Sequence, residues 1–338
     1  MNAYLLRYLR FAISSGAVFR LSFFKDRVRN VLKLLGSLRK SDIHNDPIYS
    51  EIEVSTACNL MCKFCVRPLL RNRDRLMQPD LFLKVLDAIP NTLFLNLQGE
   101  GEPFLNGHIF EYAAIARKRG IYCLTCTNLN LPSSVVERLP SSWINEINVS
   151  LESTSSEAYR NFRGDRSDFE VLTNNLEYLN RVRRNRPRYG LWITLTRSNI
   201  RELDNFFVLA KAYEILQHLR FQFLQPKANY RAAYSDELQK DTIDQKASTA
   251  IEELIKRKSK KYRIKASVYS EKCRWPWGGM FFDVEGAPHP CCLFKNVSVS
   301  PVANYHSLLS NELWINIRRD LLAGCDPPPC QNCLFLWK

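Results

Sequence analysis

The chain reads as an α/β protein in which a parallel sheet with helices outside it curls into a partial (β/α)6 barrel, followed by a smaller α+β region. Short runs rich in branched and aromatic residues recur along the first two thirds, and segments with helical spacing fall between them. After Pro226 this alternation fades. Repeated strand–helix alternation joined by right-handed crossovers places helices against a parallel sheet.

The strand candidates lie in order at 51–55, 92–98, 121–127, 144–151, 189–196 and 219–224. Helical spacing predicts helices over 79–89, 107–119, 133–139, 155–182 and 202–216. Beyond Pro226 come a charged helix near 236–260, a strand near 262–268 and a hairpin-like Met-Phe-Phe-Asp-Val-Glu-Gly-Ala at 280–287. A last helix near 310–323 precedes a Pro-Pro-Pro-Cys turn. The expected organisation is a basic N-terminal extension over 1–49, a core domain over 50–226 and a C-terminal domain over 227–338.

With 46% hydrophobic and 24% charged residues in 338, the composition is that of a folded globular protein and excludes wholesale disorder. No run approaches the roughly 18 apolar residues of a spanning helix. Arg7 and Arg10 interrupt the N-terminal apolar stretch, which argues against a cleavable signal peptide. A cytoplasmic protein, soluble or associated with a membrane surface, is expected. The net charge of +14 is concentrated in residues 1–40, in the run Arg181, Arg183, Arg184, Arg186 and Arg188, and between Lys256 and Lys265. Aromatics do not interleave with these runs as a single-strand binding groove requires, which argues against a nucleic-acid partner. Tyr4, Leu5, Tyr8, Leu9, Phe11 and Ile13 alternate with arginines. Two readings stand for them: a basic amphipathic helix giving residues 1–40 peripheral membrane contact, or a helix packed on the closed end of the barrel.

Eleven cysteines without a secretory signal point to reduced thiols that serve as metal ligands. Three of them stand in Cys58-Asn-Leu-Met-Cys62-Lys-Phe-Cys65, directly after the first strand. Iron–sulfur clusters ordinarily take four cysteines, so three thiolates leave one iron open. A structural zinc site wants a fourth ligand, and no neighbouring His or Cys supplies it.

This segment resembles the radical S-adenosylmethionine (SAM) family, and the resemblance extends over most of residues 50–225. It implies a [4Fe-4S] cluster on Cys58, Cys62 and Cys65 whose open iron is chelated by SAM, which is split to methionine and a 5′-deoxyadenosyl radical. Phe64 matches the aromatic position near the adenine. Gln98-Gly-Glu-Gly-Glu-Pro103 is similar to the Gly-Glu-Pro motif of the family, which assigns Gly101, Glu102 and Pro103 to the SAM amino group. Thr127-Asn128 stands where the family has Thr-Asn-Gly, with Leu129 in place of the glycine. Ser150-Leu151-Glu152 stands where it often has Ser-Leu-Asp, and Arg163-Gly164 follows as the Arg-Gly of the family often does. Asn128, Ser150 and Glu152 are thereby implied as SAM contacts. All these loops follow strands, and in a parallel barrel ligands gather there.

Cys273, Gly286, Cys291 and the closing pair Cys330 and Cys333 resemble the auxiliary-cluster extensions called SPASM and twitch. That implies a second [4Fe-4S] cluster with four protein ligands, against which a zinc ribbon is the competing reading. Cys123 and Cys126 lie in a strand and read as structural, while for Cys292 and Cys325 a spare ligand, a hydrogen-atom donor and an inert thiol are all open readings.

The expected function is hydrogen abstraction from a small-molecule or sugar-like substrate, for which the charge also admits an anionic one. The expected outcome is oxidation, with the auxiliary cluster accepting the second electron and an external donor such as flavodoxin or ferredoxin feeding the first. Epimerisation and peptide modification are the alternatives within the class. An iron–sulfur or zinc RNA-binding module is the alternative outside it.

Overall fold

The computed structural model describes residues 8, 10–13, 21–70, 72–182, 187–224, 235–268, 273–293, 309, 311–330 and 333. Tyr4, Leu5, Arg7 and Leu9 of the N-terminal segment, and Arg183, Arg184 and Arg186 of the arginine run, lie outside them. In chain order the elements begin with α1 (Leu21–Ser37), β1 (Tyr49–Ile52), α2 (Pro79–Ala88), β2 (Phe94–Asn96), α3 (Ile109–Lys118) and β3 (Tyr122–Thr127). Next come α4 (Ser133–Val136), β4 (Glu146–Ser150), α5 (Ser156–Arg163), α6 (Phe169–Arg181), β5 (Arg188–Leu195), α7 (Leu203–Ala212) and β6 (Leu216–Phe223). The remainder is α8 (Asp236–Lys240), α9 (Gln245–Tyr262), β7 (Lys265–Val268), α10 (Trp275–Gly278), β8 (Gly279–Phe282), β9 (Pro288–His289) and α11 (Glu312–Leu322).

The α/β class and the six strands expected from the branched and aromatic runs are all present, with ends shifted by a few residues. Two expected helices are divided. The one over 155–182 breaks at Gly164, whose φ of +86° ends α5, and Asp168 then starts α6 by accepting from the amides of Glu170 and Val171. The one over 236–260 is split between α8 and α9, where Asp244 caps α9 by accepting from the Ala247 amide at 2.8 Å.

The chain divides into two compact units. The first comprises Met1–Thr56, Asp74–Leu124 and Cys273–Gln331; the second comprises Ala57–Arg73, Thr125–Lys272 and Asn332–Lys338. In the first unit β2 runs parallel to β1 and to the start of β3, and β8 runs parallel to the other edge of β1, with Tyr49 opposite Gly279 and Ile52 opposite Phe282. β9 closes this edge as the antiparallel partner of β8. The hairpin expected at 280–287 is therefore part of this sheet. Its core includes Ile52, Leu95, Leu97, Phe281 and Phe282, with Phe82 of α2 stacked on Tyr112 of α3 at 4.1 Å between ring centres.

Tyr8, Phe11 and Ala12 are buried against Leu93, Phe94, Tyr122 and Leu124 at the amino ends of β2 and β3. For Tyr8 and Phe11 the packing reading replaces membrane contact, because both rings are already spent on this core. Among the described residues no helix is long and apolar enough to cross a membrane.

In the second unit β4, β5, β6 and β7 are parallel neighbours in that order. One face of these strands is apolar: Ile147, Val149, Leu191, Ile193, Leu219 and Phe221 are fully buried, as are Leu172, Leu176 and Leu179 of α6 and Phe206 and Phe207 of α7. The other face is polar, which is unusual for strands in a parallel sheet, since those usually read as continuous hydrophobic runs.

The C-terminal helix is tied down by a buried cation. Arg318 of α11 donates through Nε to the Ser41 carbonyl at 2.5 Å, through Nη1 to Pro276 at 3.1 Å, and through Nη2 to Leu309. Removing a buried donor set leaves its carbonyls unsatisfied. Arg318→Ala should therefore lower the stability of the chain by roughly 3 kcal/mol in urea unfolding. A loss below about 1 kcal/mol would show that these carbonyls are satisfied without the guanidinium.

Candidate active site

The cysteine loop lies in the second unit and is built so that each of its three sulfurs faces an N–H donor. Cys58 Sγ accepts from the Leu60 amide at 3.4 Å and lies 3.9 Å from Asn128 Nδ2. Cys62 Sγ accepts from Arg163 Nη1 at 3.6 Å, and Cys65 Sγ from the Arg67 amide at 3.4 Å. Donors of this kind favour a thiolate over a thiol, and the thiolate is the metal-binding form. Burial pushes the Cys62 thiol up, and the neighbouring Arg163 charge opposes that shift. All three cysteines are half-buried.

The loop is held from below by α5. Lys63 N donates to the Phe162 carbonyl at 2.9 Å, and the Cys65 amide closes a turn on the Cys62 carbonyl at 3.0 Å. Gly164 passes so close that a Cβ there would sit 2.6 Å from the Met61 carbonyl oxygen. Glycine is thus needed twice, for this approach and for its positive φ.

Arg163 and Glu152 form a buried ion pair, Nε to Oε2 at 2.5 Å, with side chains 7% and 2% exposed. Burial pushes the Glu152 carboxyl up, and Arg163 pulls it back. For Arg163 burial disfavours the charge, but Glu152, Cys62 and Tyr159 outweigh it and hold the guanidinium protonated. The same guanidinium lies 5.9 Å above the Phe64 ring. Phe64 in turn packs on Val66, Leu224 and Leu238.

Asn128 gives its amide to Asn59 Oδ1 at 2.9 Å and accepts from the Asn130 amide at 2.8 Å. Asn59 reaches the Asn130 carbonyl at 2.7 Å, and Asn130 Nδ2 donates to Tyr159 Oη at 2.8 Å. Between them Leu129 takes φ = +54°, the backbone state that a glycine would occupy without strain. Its side chain is fully buried, and its carbonyl accepts from Asn175 at 3.0 Å.

The polar face of β4 to β6 lies in the same unit. Asn148, Gly190 and His218 are opposite one another, and so are Ser150, Trp192 and Arg220 one step nearer the carboxyl ends. His218 Nε2 contacts Asn148 Oδ1 at 2.9 Å and fills the space a Cβ on Gly190 would take. Arg220 pairs with the fully buried Glu146 at 2.8 Å and lies 5.7 Å over Trp192. Gln222 donates to Thr194 Oγ1 at 3.0 Å, and Cys126 meets Ser150 Oγ at 3.0 Å. Exposure rises along this face from buried Glu146, Asn148 and His218 to half-buried Ser150, Trp192, Arg220 and Gln222. The half-buried Ser150, Trp192 and Arg220 sit between those buried residues and the buried Thr194 and Glu152 that lie beyond them.

In the first unit, the segment after β2 is a tight turn. Glu53 Oε1 accepts from the Glu100 amide at 2.9 Å, and a Cβ on Gly99 would fall 2.3 Å from Glu53 Cγ. Gly101 follows, and Glu102, buried, caps the short turn Pro103–Leu105 by accepting from the Phe104 amide at 3.2 Å.

Cys273 precedes α10, Cys291 follows β9 and Cys330 ends the turn after α11, all three in the first unit; Cys333 falls in the second. All four are half-buried. Asp283 organises the hairpin between β8 and β9 by accepting from the amides of Glu285 and Ala287, with Gly286 at φ = +79°. Among the described residues no three His, Cys, Asp or Glu side chains converge on a single-ion site. Cys123 is fully buried, which pushes its thiol up, in keeping with a structural role.

Sequence reasoning placed Glu152 among the SAM contacts but did not pair it with Arg163, because charge pairing across ten residues leaves no local signature. The roles of Asn59, Asn130, Trp192 and Arg220 were also missed. The last two had a signal: Leu-Arg-Phe-Gln-Phe at 219–223 alternates where a parallel strand usually does not.

Residues 52–209 match the model of the Radical SAM superfamily. The AdoMet-dependent heme synthase of Methanosarcina barkeri is 26% identical over 199 residues, covering 57% of this chain and 55% of that protein. The mycofactocin maturase MftC of Mycolicibacterium smegmatis is 24% identical over 193 residues, covering 56% and 48%. The chain thus spans about half the length of the curated relatives it matches. In fold it is similar to Streptococcus suis SuiB bound to the precursor peptide SuiA, with a TM-score of 0.67 at 18% identity over 86% of this chain and 71% of that one.

The approach of Gly164 to the loop yields a direct expectation. Gly164→Ala forces a side chain into a positive φ and against the Met61 carbonyl, so stability should fall by about 1–2 kcal/mol or more. Iron retained after anaerobic reconstitution should fall with it. A variant as stable and as iron-rich as the parent would show that the loop does not depend on this contact.

Proposed function

Residues 52–209 belong to the radical SAM superfamily, and on that footing we propose that the chain is a radical SAM enzyme that abstracts hydrogen from, and oxidises, a substrate held over β4 to β6. The observation that carries this reading is the donor set: three thiols on one loop, each with an N–H donor on its sulfur. These residues suit a three-thiolate [4Fe-4S] cluster. Bound there with SAM, the cluster supplies a 5′-deoxyadenosyl radical.

Cys58, Cys62 and Cys65 would each hold one iron. Phe64 would lie by the adenine, Gly101, Glu102 and Pro103 would take the amino group, and Asn128 and Ser150 would contact the remainder of SAM. Glu152 would serve this site chiefly through Arg163, which it keeps charged beside Cys62 and Phe64. Trp192, Arg220 and Gln222 would orient the substrate on the half-buried part of the polar face.

The organisation that goes with this reading is an extension over 1–49, a radical SAM core over 50–226 and a SPASM- or twitch-like domain over 227–338. In the latter, Cys273, Cys291, Cys330 and Cys333 would hold an auxiliary [4Fe-4S] cluster that takes the second electron of a two-electron oxidation. A flavodoxin- or ferredoxin-type protein would supply the first. The preferred substrate is a small, sugar-like or anionic molecule. A peptide substrate is the second reading, favoured by the likeness to a maturase and to a protein solved with its precursor peptide.

Anaerobically reconstituted protein given dithionite and SAM should release 5′-deoxyadenosine. Release of none would leave an iron–sulfur or zinc binding module as the better account. Replacing Cys58, Cys62 and Cys65 together by alanine should abolish this release while iron remains bound. A triple variant with no iron at all would contradict the two-cluster reading.

A further inference from the structure

Helix α1 packs on the core through Val31 and Leu34, yet among its described side chains it also presents an apolar line outward. Its inner face is fastened by polar groups. The buried Arg27 donates through Nη1 to the Gly120 carbonyl at 2.6 Å and to Tyr8 Oη at 2.9 Å, and through Nη2 to the Arg119 carbonyl at 2.7 Å. One turn on, Asn30 exchanges two hydrogen bonds with the backbone of Asp46, at 3.0 and 2.7 Å. Among the described side chains Leu34 is buried on this side and Val31, half-buried, packs on the Tyr8 and Phe11 cluster.

The outer face carries the apolar stripe. Val28, Leu32 and Leu35 are 42%, 63% and 41% exposed, and their spacing places them on one line along the helix. Lys25, Arg29 and Lys33, four residues apart, form an exposed row beside that stripe. Asp26, paired with Arg29 at 3.6 Å, is the one acidic residue of the helix. A contiguous exposed apolar line bordered by cations marks an interaction surface rather than scattered surface hydrophobics.

We propose that α1 docks the protein on an anionic lipid bilayer, with Val28, Leu32 and Leu35 entering the headgroup boundary and Lys25, Arg29 and Lys33 meeting lipid phosphates. An amphipathic helix lying in the interface needs this pairing of an apolar line with a basic flank. A second copy of the chain is the less suitable occupant, because a symmetric contact through the stripe would bring two cationic rows together. Since Arg27 and Asn30 already hold the helix in place, docking costs no folding of the segment. The surface differs from the one periodicity suggested: Tyr8 and Phe11 are inside, and α1 takes the outward role. This inference is independent of the catalytic reading, since none of the residues involved belongs to the cysteine loop or to the polar face.

Vesicle flotation of the full chain tests it, with phosphatidylcholine vesicles and with vesicles containing phosphatidylglycerol. The protein should float with the anionic vesicles at low salt and bind about tenfold more weakly at high salt. Val28→Ser with Leu32→Ser, and separately Lys25→Gln, Arg29→Gln and Lys33→Gln together, should each weaken partition by about tenfold or more. Val208→Ser, at a 55% exposed valine of α7, should leave it unchanged. Because all the substituted side chains are exposed, circular dichroism should match the parent in every variant. No flotation at low salt, or parental flotation of the Val28 and Leu32 variant, would overturn the proposal. So would a protein that does not float but is dimeric by light scattering and becomes monomeric in that variant, an outcome that assigns the stripe to a second copy.

Discussion

A guanidinium and a carboxylate, both taken almost wholly out of water, meet at Arg163 and Glu152, and the position of the cysteine loop depends on that pair. Burying either charge alone would cost several kcal/mol, so each leans chiefly on the other, with Thr194 also supporting Glu152. The pair joins the end of β4 to the end of α5. From there Arg163 reaches the Cys62 sulfur and the Phe64 ring, while the next residue, Gly164, presses against Met61. Rigid elements thereby fix a loop that has no regular structure of its own, which is what a site needs if its ligands are to be in place before anything binds.

The same unit shows how a sheet can serve packing and chemistry at once. Ile147, Val149, Leu191, Ile193, Leu219 and Phe221 are given wholly to the core, and the residues between them on the same strands are polar. At the buried end His218 meets Asn148 and Glu146 pairs with Arg220, and the half-exposed Ser150, Trp192 and Gln222 follow. Buried polar groups are costly unless paired, so these contacts tie the strands together beneath the half-exposed residues.

Much of this was legible in the sequence. Strand positions followed from short runs of branched and aromatic residues, which a buried sheet needs, and helix positions from the spacing of apolar residues. The break at Gly164 was hidden because helical spacing continues through it, and only the positive φ reveals it. The departure at Leu129 proved to be chemical and not conformational, since that residue adopts the backbone state of a glycine and spends its side chain in the core. Non-local pairings were out of reach: the parallel contact of β8 with β1 and the tether from Arg318 to Ser41 join residues more than two hundred positions apart. The outward face of α1 was equally hidden, because an apolar line at helical spacing does not say whether it points in or out.

The central claim is that the three thiolates on the loop hold a cluster with one iron open to SAM. Electron paramagnetic resonance of the anaerobically reconstituted, dithionite-reduced chain tests it most directly, recorded on a variant with Cys330 and Cys333 replaced by alanine so that the loop cluster is seen alone. The account predicts a reduced [4Fe-4S] signal whose g values shift when SAM is added, and no such signal once Cys62 is also replaced. A signal indifferent to SAM, or one that survives loss of Cys62, would contradict it.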